Sequence, residues 1–247
     1  MSLAICQSDA RNVRRLSFLN VDPDFDKMEE GMVFRLTYEG PLLGASRDKT
    51  RANHKHEIRR TFHPQLRKLW QETHLKDIED YEGDLPRGMK APDNRFSRFS
   101  GHDVRPRSKG KRLKTLPQRF CRSGYGFVPL VTEDLSVACG LEVLFLRPDS
   151  PGQIVKSGDI DNRLKTLFDA LRLPMDANEL GRYTSPSEDE KPFYCLLEDD
   201  RLISKVSIET DTLLQPTSEN AGVNDARLVI TVSLRPYRST WTNLMLG

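Results

Sequence analysis

Apolar positions gather in a few compact segments separated by long polar ones. Residues 32–38 (Met-Val-Phe-Arg-Leu-Thr-Tyr) read as a strand that ends at Glu39-Gly-Pro41. Ile58, Phe62, Leu66, Leu69 and Trp70 recur at helical spacing. Pro64 interrupts that run, which predicts a kink or two short helices, with Pro64 near the start of the second. The outward face of this segment is expected to carry Lys55, Arg59, Arg60, Arg67 and Lys68. Strand signals return at 125–131, and 137–147 is long and mostly apolar, as an interior strand is. Residues 161–173 give the cleanest helix, with Leu164, Leu167, Phe168 and Leu171 in one stripe. Two more strands are predicted over about 203–210 and 226–234.

Strands with a few helices and no internal repeat predict an α+β fold, a single domain with a mixed β-sheet flanked by helices. Residues 1–30 read as an N-terminal extension and 31–238 as the domain. Insertions are expected at about 75–122 and 174–192, and 239–247 is a tail.

Composition narrows the class. The chain has 247 residues, 37% hydrophobic and 30% charged, enough to bury a core although more polar than an average globular protein. No apolar run reaches the length of a membrane span. The first residues lack the basic start and apolar stretch of a secretory signal, so a soluble intracellular protein without a membrane partner is expected. Cys6, Cys121, Cys139 and Cys195 are too dispersed for a zinc site or a disulfide framework and read as reduced thiols. His54, His56 and His63 lie among Lys and Arg, where nucleic-acid contact or a solvated face suits them better than metal ligation.

The formal net charge of +2 hides strong polarisation. Residues 87–122 hold twelve Lys/Arg against two Asp, and 47–76 hold nine bases against three acids. Residues 176–200 hold eight acids and two bases. Such asymmetry points to a polyanion on one side and a cation on the other. The run Arg105-Pro-Arg107-Ser-Lys109-Gly-Lys111-Arg112-Leu-Lys114 is broken by Pro and Gly and reads as a mobile loop, either a phosphate contact or a solvated or localisation-like tract. Phe96, Phe99 and Phe120 interleave with arginines, and aromatic rings stack on exposed bases. Lys55, Arg59 and Arg60 add further candidate nucleic-acid contacts.

The sharpest chemical signal is Asp159-Ile-Asp161-Asn162-Arg-Leu-Lys165 at the start of the clean helix. In extended backbone the two aspartates point the same way, and Lys165 lies one turn from Asp161. Downstream, Glu198-Asp199-Asp200 precedes an apolar strand. Crowded carboxylates suppress one another's ionisation, and a divalent cation relieves that cost. Magnesium, or manganese in its place, takes oxygen ligands and keeps several waters, so a few carboxylates suffice.

These motifs resemble those of the RusA family of Holliday junction resolvases. Asp159-Ile-Asp-Asn-Arg-Leu-Lys-Thr-Leu-Phe-Asp-Ala-Leu is similar to the family's first acidic motif, and Asp199-Asp200 before a strand is similar to its second. The resemblance implies a RusA-like fold and a homodimeric, magnesium-dependent endonuclease that nicks four-way DNA junctions in recombination and repair. It implies a cytoplasmic setting in a prokaryote or phage. It implies catalytic roles for Asp159, Asp161, Lys165 and Asp200. Asp159, Asp161 and Asp200 would be the metal ligands, Asp199 a second-ranked one, and Lys165 would neutralise the scissile phosphate. Asp169 is expected to be structural and to pair with Lys165. Strand alternation is expected to turn Asp199 away from Asp200. The alternative is a RusA-like DNA-binding module that no longer cuts. A metal-dependent glycosyltransferase, in which Asp-x-Asp holds a nucleotide-sugar diphosphate, is a third reading that the basic loop disfavours.

Overall fold

The computed structural model describes residues 31–45, 49–73, 75, 115–148, 159–215, 222, 224–238 and 243. Its elements in chain order are β1 (Val33–Pro41), α1 (Lys49–Glu72), α2 (Leu116–Arg119), β2 (Cys121–Arg122), β3 (Tyr125–Val131) and β4 (Val137–Arg147). They continue with α3 (Asp159–Leu171), β5 (Phe193–Leu197), β6 (Ile203–Thr212) and β7 (Asp225–Pro236). Among the described residues, three short 3-10 turns occur at Ala177–Leu180, Glu188–Glu190 and Asp200–Leu202.

The architecture is α+β, with two mixed sheets and three helices among the described residues. The larger sheet has the order β1-β7-β4-β6, in which β4 runs antiparallel to β7 and parallel to β6. The smaller has the order β2-β3-β5, with β3 and β5 parallel. Leu141, Val143 and Phe145 of β4 and Ile230, Val232 and Leu234 of β7 face the core, with Leu36 and Tyr38 of β1 beside them. The alternation of these buried positions with half-exposed ones fits a sheet covered on one face.

Pro64 neither splits nor ends α1, which runs unbroken for 24 residues. Ile58, Phe62, Leu66 and Trp70 straddle the proline and are each buried to 1% exposure or less. Burying one such side chain contributes roughly 1.5–3 kcal/mol. An interior proline costs about 3 kcal/mol, so four of them outweigh it. In α3 the expected stripe holds: Leu164, Leu167 and Leu171 are buried and Phe168 packs against them half-buried.

The helix α1 does not present Arg59 to solvent. Arg59 is in the core, donating to the carbonyls of Asp169 and Arg172 at 2.8 and 3.0 Å. Burial pushes its guanidinium down to about 10. His54, His56 and His63 are likewise interior rather than solvated. Phe120, read as a stacking ring, is part of the core.

The stretch 174–192 is more than a loop. Asp176 caps the first 3-10 turn by accepting from the N–H groups of Asn178 and Glu179. The stretch then lies on α1. Arg182 pairs with Glu57 at 2.9 Å, Arg60 with Glu190 at 2.6 Å, and His63 Nε2 meets the Asp189 carbonyl at 2.9 Å. The basic window 47–76 (nine minus three, +6) and the acidic window 176–200 (two minus eight, −6) therefore face each other, and part of the polarisation is settled inside the fold.

Candidate functional site

The first acidic motif opens α3. Two bonds fix this end of the helix: the Ala45 N–H donates to the Asn162 carbonyl at 2.9 Å, and Arg163 reaches Asn224 Oδ1 at 3.2 Å. Both anchors lie past the C-terminal end of β4: Leu146 pairs with Arg227, Asn224 comes just before β7, and the Leu42 N–H, close to Ala45 in sequence, donates to the Asn224 carbonyl at 2.8 Å. Asp161 and Lys165 are exposed, one turn apart, and neither is in an ion pair among the described residues. The side chain of Asp159 lies outside the described residues, as do Arg105, Arg107, Lys109, Lys111, Arg112 and Lys114.

Asp169 belongs to the same helix but does a different job. It does not pair with Lys165. Its carboxylate accepts from Lys55 at 2.6 Å and from Arg172 at 3.0 Å, and Arg172 also reaches Glu179 at 2.9 Å. This cluster ties α1, α3 and the 3-10 turn together. Lys55 and Arg59 are spent on it, and Arg60 on Glu190, so these three bases act within the fold. The sequence reading as nucleic-acid contacts fails for buried Arg59, and the other two already hold carboxylates.

The second acidic motif does not sit on a strand. Asp199 is the N-cap of the turn Asp200–Leu202, accepting from the Arg201 N–H at 3.0 Å. Strand β6 starts only at Ile203, so alternation along a strand does not separate Asp199 from Asp200. Asp199 is committed to its cap and to Arg201, while Asp200 is exposed and holds no ion pair among the described residues.

Glu133 and Asp134, in the turn between β3 and β4, complete an acidic bay around this motif. The Glu133 N–H donates to Glu198 at 3.0 Å, Arg201 pairs with Glu133 at 2.7 Å, and Arg119 pairs with Asp134. Burial raises the Glu198 carboxyl above its ordinary value, and the charges of Glu133 and Asp134 add to the effect. The sequence reading did not include Glu133 or Asp134; the only signal for them was a pair of acids between two apolar strands.

The bay is anchored at the N-terminal end of β4, since Ile203 pairs with Cys139. The two motifs are thus tied to different ends of one strand, and no hydrogen bond or ion pair joins them among the described residues. Among the same residues, no group of three or more His, Cys, Asp or Glu is placed to hold a metal ion. The exposed donors are hard carboxylate oxygens, the type magnesium prefers, and magnesium commonly takes one or two protein carboxylates together with substrate phosphates. The helix already includes Asp159, so Asp159 and Asp161 are two positions apart on a helix and not on extended backbone. The expectation that they point the same way therefore fails. Asp161 is the exposed donor at this helix start.

Cys139 and Cys195 are buried free thiols and Cys121 is exposed. No described helix is long and apolar enough to cross a membrane. Compared with protein-family models, with curated proteins and with solved structures, the chain has no match.

Proposed function

We propose that the chain is a magnesium-dependent, RusA-like endonuclease that hydrolyses phosphodiester bonds in branched DNA, four-way junctions above all, acting as a pair of identical subunits. The observation that carries the reading is a division of labour among acids. Asp169 and Asp199 are tied up in ion pairing and capping, whereas Asp161 and Asp200, with Lys165, are exposed and uncommitted among the described residues. Exposed, unpaired charges at motif positions are available to a ligand; the paired ones are not.

In this reading Asp161 would hold the cation at the start of α3, with Asp159 two positions before it in the motif, and the cation would supply Lewis-acid stabilisation of the phosphate. Lys165, one turn along, faces the same solvent region and neutralises phosphate charge. The anion-attracting start of the helix helps seat the phosphate. Asp200, tied to the other end of β4, stands outside this site, so the expected convergence of the two motifs on one cation is not part of the reading. The basic stretch 105–114 holds the duplex arms. Symmetric nicking requires two such sites related by a twofold axis.

The test uses labelled four-way junction, fork and linear duplex, with magnesium and with EDTA. Junction cleavage is expected only with magnesium. Asp161→Asn is expected to abolish cleavage and keep binding. Cleavage by Asp161→Asn at the wild-type rate overturns the site. The separation of the two motifs favours one rival, a RusA-like module that binds junctions without cutting; it is supported if the wild-type chain binds tightly and shows no turnover with magnesium or manganese.

A further inference from the structure

The two edges of the larger sheet are finished differently. At β1 the side chain of Gln65 closes the edge: its Oε1 accepts from the Thr37 N–H at 2.9 Å and its Nε2 donates to the Thr37 carbonyl at 2.8 Å. Among the described residues, a side chain meets the edge at β6 only at the strand's last residue, where Asp211 Oδ1 accepts from the Thr212 N–H at 2.7 Å. The Leu213 N–H donates to the Arg147 carbonyl, and Arg147 pairs with Thr212. In a parallel ladder that pattern turns the odd-numbered residues of β6 towards β4. The N–H and C=O groups of Val206, Ile208 and Thr210 therefore point outward along the open edge.

Side chains of the same strand are exposed in an unusual way. Val206 and Ile208 pair with Leu141 and Val143, which are fully buried, so they lie on the covered face of the sheet. Even so, they remain 44% and 37% exposed. An open edge carrying apolar side chains is a template for another strand.

We infer that β6 is a self-pairing interface that joins two copies of this chain antiparallel about a twofold axis through Ser207. The strand is complementary to itself in that register. Val206 of one copy lies opposite Ile208 of the other, so the outward groups of both meet as a hydrogen-bonded pair. Lys205 lies opposite Glu209 of the second copy on the other face, and this happens twice. Ser207 faces itself at a non-hydrogen-bonded position, where Cα atoms approach to about 4.5 Å. The two four-stranded sheets become one of eight strands. The inference shares with the proposed function only the need for two copies; it rests on the strand geometry and holds whether or not the chain cuts DNA.

The full-length chain tests this. Light scattering during size exclusion is expected to give about twice the 28.3 kDa chain mass at micromolar concentration. Val206→Lys with Ile208→Lys, at exposed positions, is expected to give a folded monomer. Ser207→Cys is expected to form a disulfide-linked dimer under mild oxidation well above the wild-type background, while Asp211→Cys, which faces Ile203 of the second copy, does not. A wild-type monomer, a lysine double variant that stays dimeric, or a Ser207→Cys chain that cross-links no better than wild type overturns the interface. A wild-type monomer would also remove the pairing that symmetric nicking requires, whereas a dimer joined elsewhere leaves that reading intact; magnesium-dependent cleavage itself is read separately by the Asp161→Asn comparison.

Discussion

The Lys55 ammonium lies 2.6 Å from the Asp169 carboxylate, joining α1 to α3 across 114 positions of sequence. Both side chains are largely buried, at 16% and 12% exposure, and Arg172 shares the same acid. Asp169 therefore fixes the helix whose first two turns display Asp161 and Lys165. It acts on the site only by holding that helix in place.

Removing one member of a buried ion cluster leaves its partners uncompensated, which costs about 3 kcal/mol. Asp169→Ala is expected to lose that much in urea denaturation. Asp161→Asn, at an exposed position, is expected to stay within about 0.5 kcal/mol of wild type. Equal stability of the two variants would refute the division of labour among these acids.

Stability should fall in mild acid. Burial, reinforced by Arg59 and Arg60, pushes the His56 imidazole down to about 3, and burial also lowers His54 and His63. His56 accepts from Arg59 through Nδ1, which fixes its proton on Nε2 and leaves no lone pair free for a second proton. His63 is similarly held, accepting the Tyr194 N–H on Nδ1 at 2.9 Å. Protons then bind the unfolded chain more readily than the folded one. The contribution is complete above the unfolded value of about 6.5 and is lost as pH falls towards 3. His56 adds up to about 1.4 kcal/mol per pH unit within that window, and His54 and His63 act in the same direction. Urea midpoints at pH 7.5, 6 and 5 should decline in order; a flat profile contradicts the neutral, buried assignment.

Tyr183 clamps the acidic stretch to α1. Arg60 and Arg182 each lie 5.1 Å from its ring, the His56 ring is 4.8 Å away, and its hydroxyl meets Glu57 at 3.0 Å. Tyr183→Ala is expected to cost about 1–2 kcal/mol. It should also open 174–192 to limited proteolysis. Unchanged protease resistance would show that the ion pairs hold this stretch without the ring.

Salt dependence separates internal bases from DNA-facing ones. Arg60→Gln should leave the slope of log affinity against log salt unchanged, because Arg60 is engaged by Glu190. Lys111→Gln with Arg112→Gln should flatten it by about 0.9 for each phosphate left unneutralised. The opposite ranking would return α1 to the DNA surface.

Strands β3, β4 and β7 and helix α3 were legible because their apolar residues are numerous and periodic. Strand β5 was not. Phe193–Leu197 is five buried residues without alternation, and its parallel partner β3 lies more than sixty positions earlier. Arg59 and His63 each follow the stripe of Ile58 and Phe62 by one residue, so a wider apolar face would have taken them inside. Their polar identity hid this, because the partners that satisfy them sit more than a hundred residues away. Of the site, the exposed pair Asp161 and Lys165 was readable from i,i+4 spacing. The capping role of Asp199 was not, since it depends on a 3-10 turn that sequence periodicity does not mark.

Gln65 has a consequence for how many chains can gather. A sheet with two open margins adds strands without limit and grows into a fibre. Here one margin is closed at Thr37 by a side-chain amide that mimics a neighbouring strand, so in the proposed pairing growth through β6 stops after a single addition. The same glutamine that finishes β1 thus sets an upper bound on assembly, and replacing it would turn a closed pair into a chain-growth hazard.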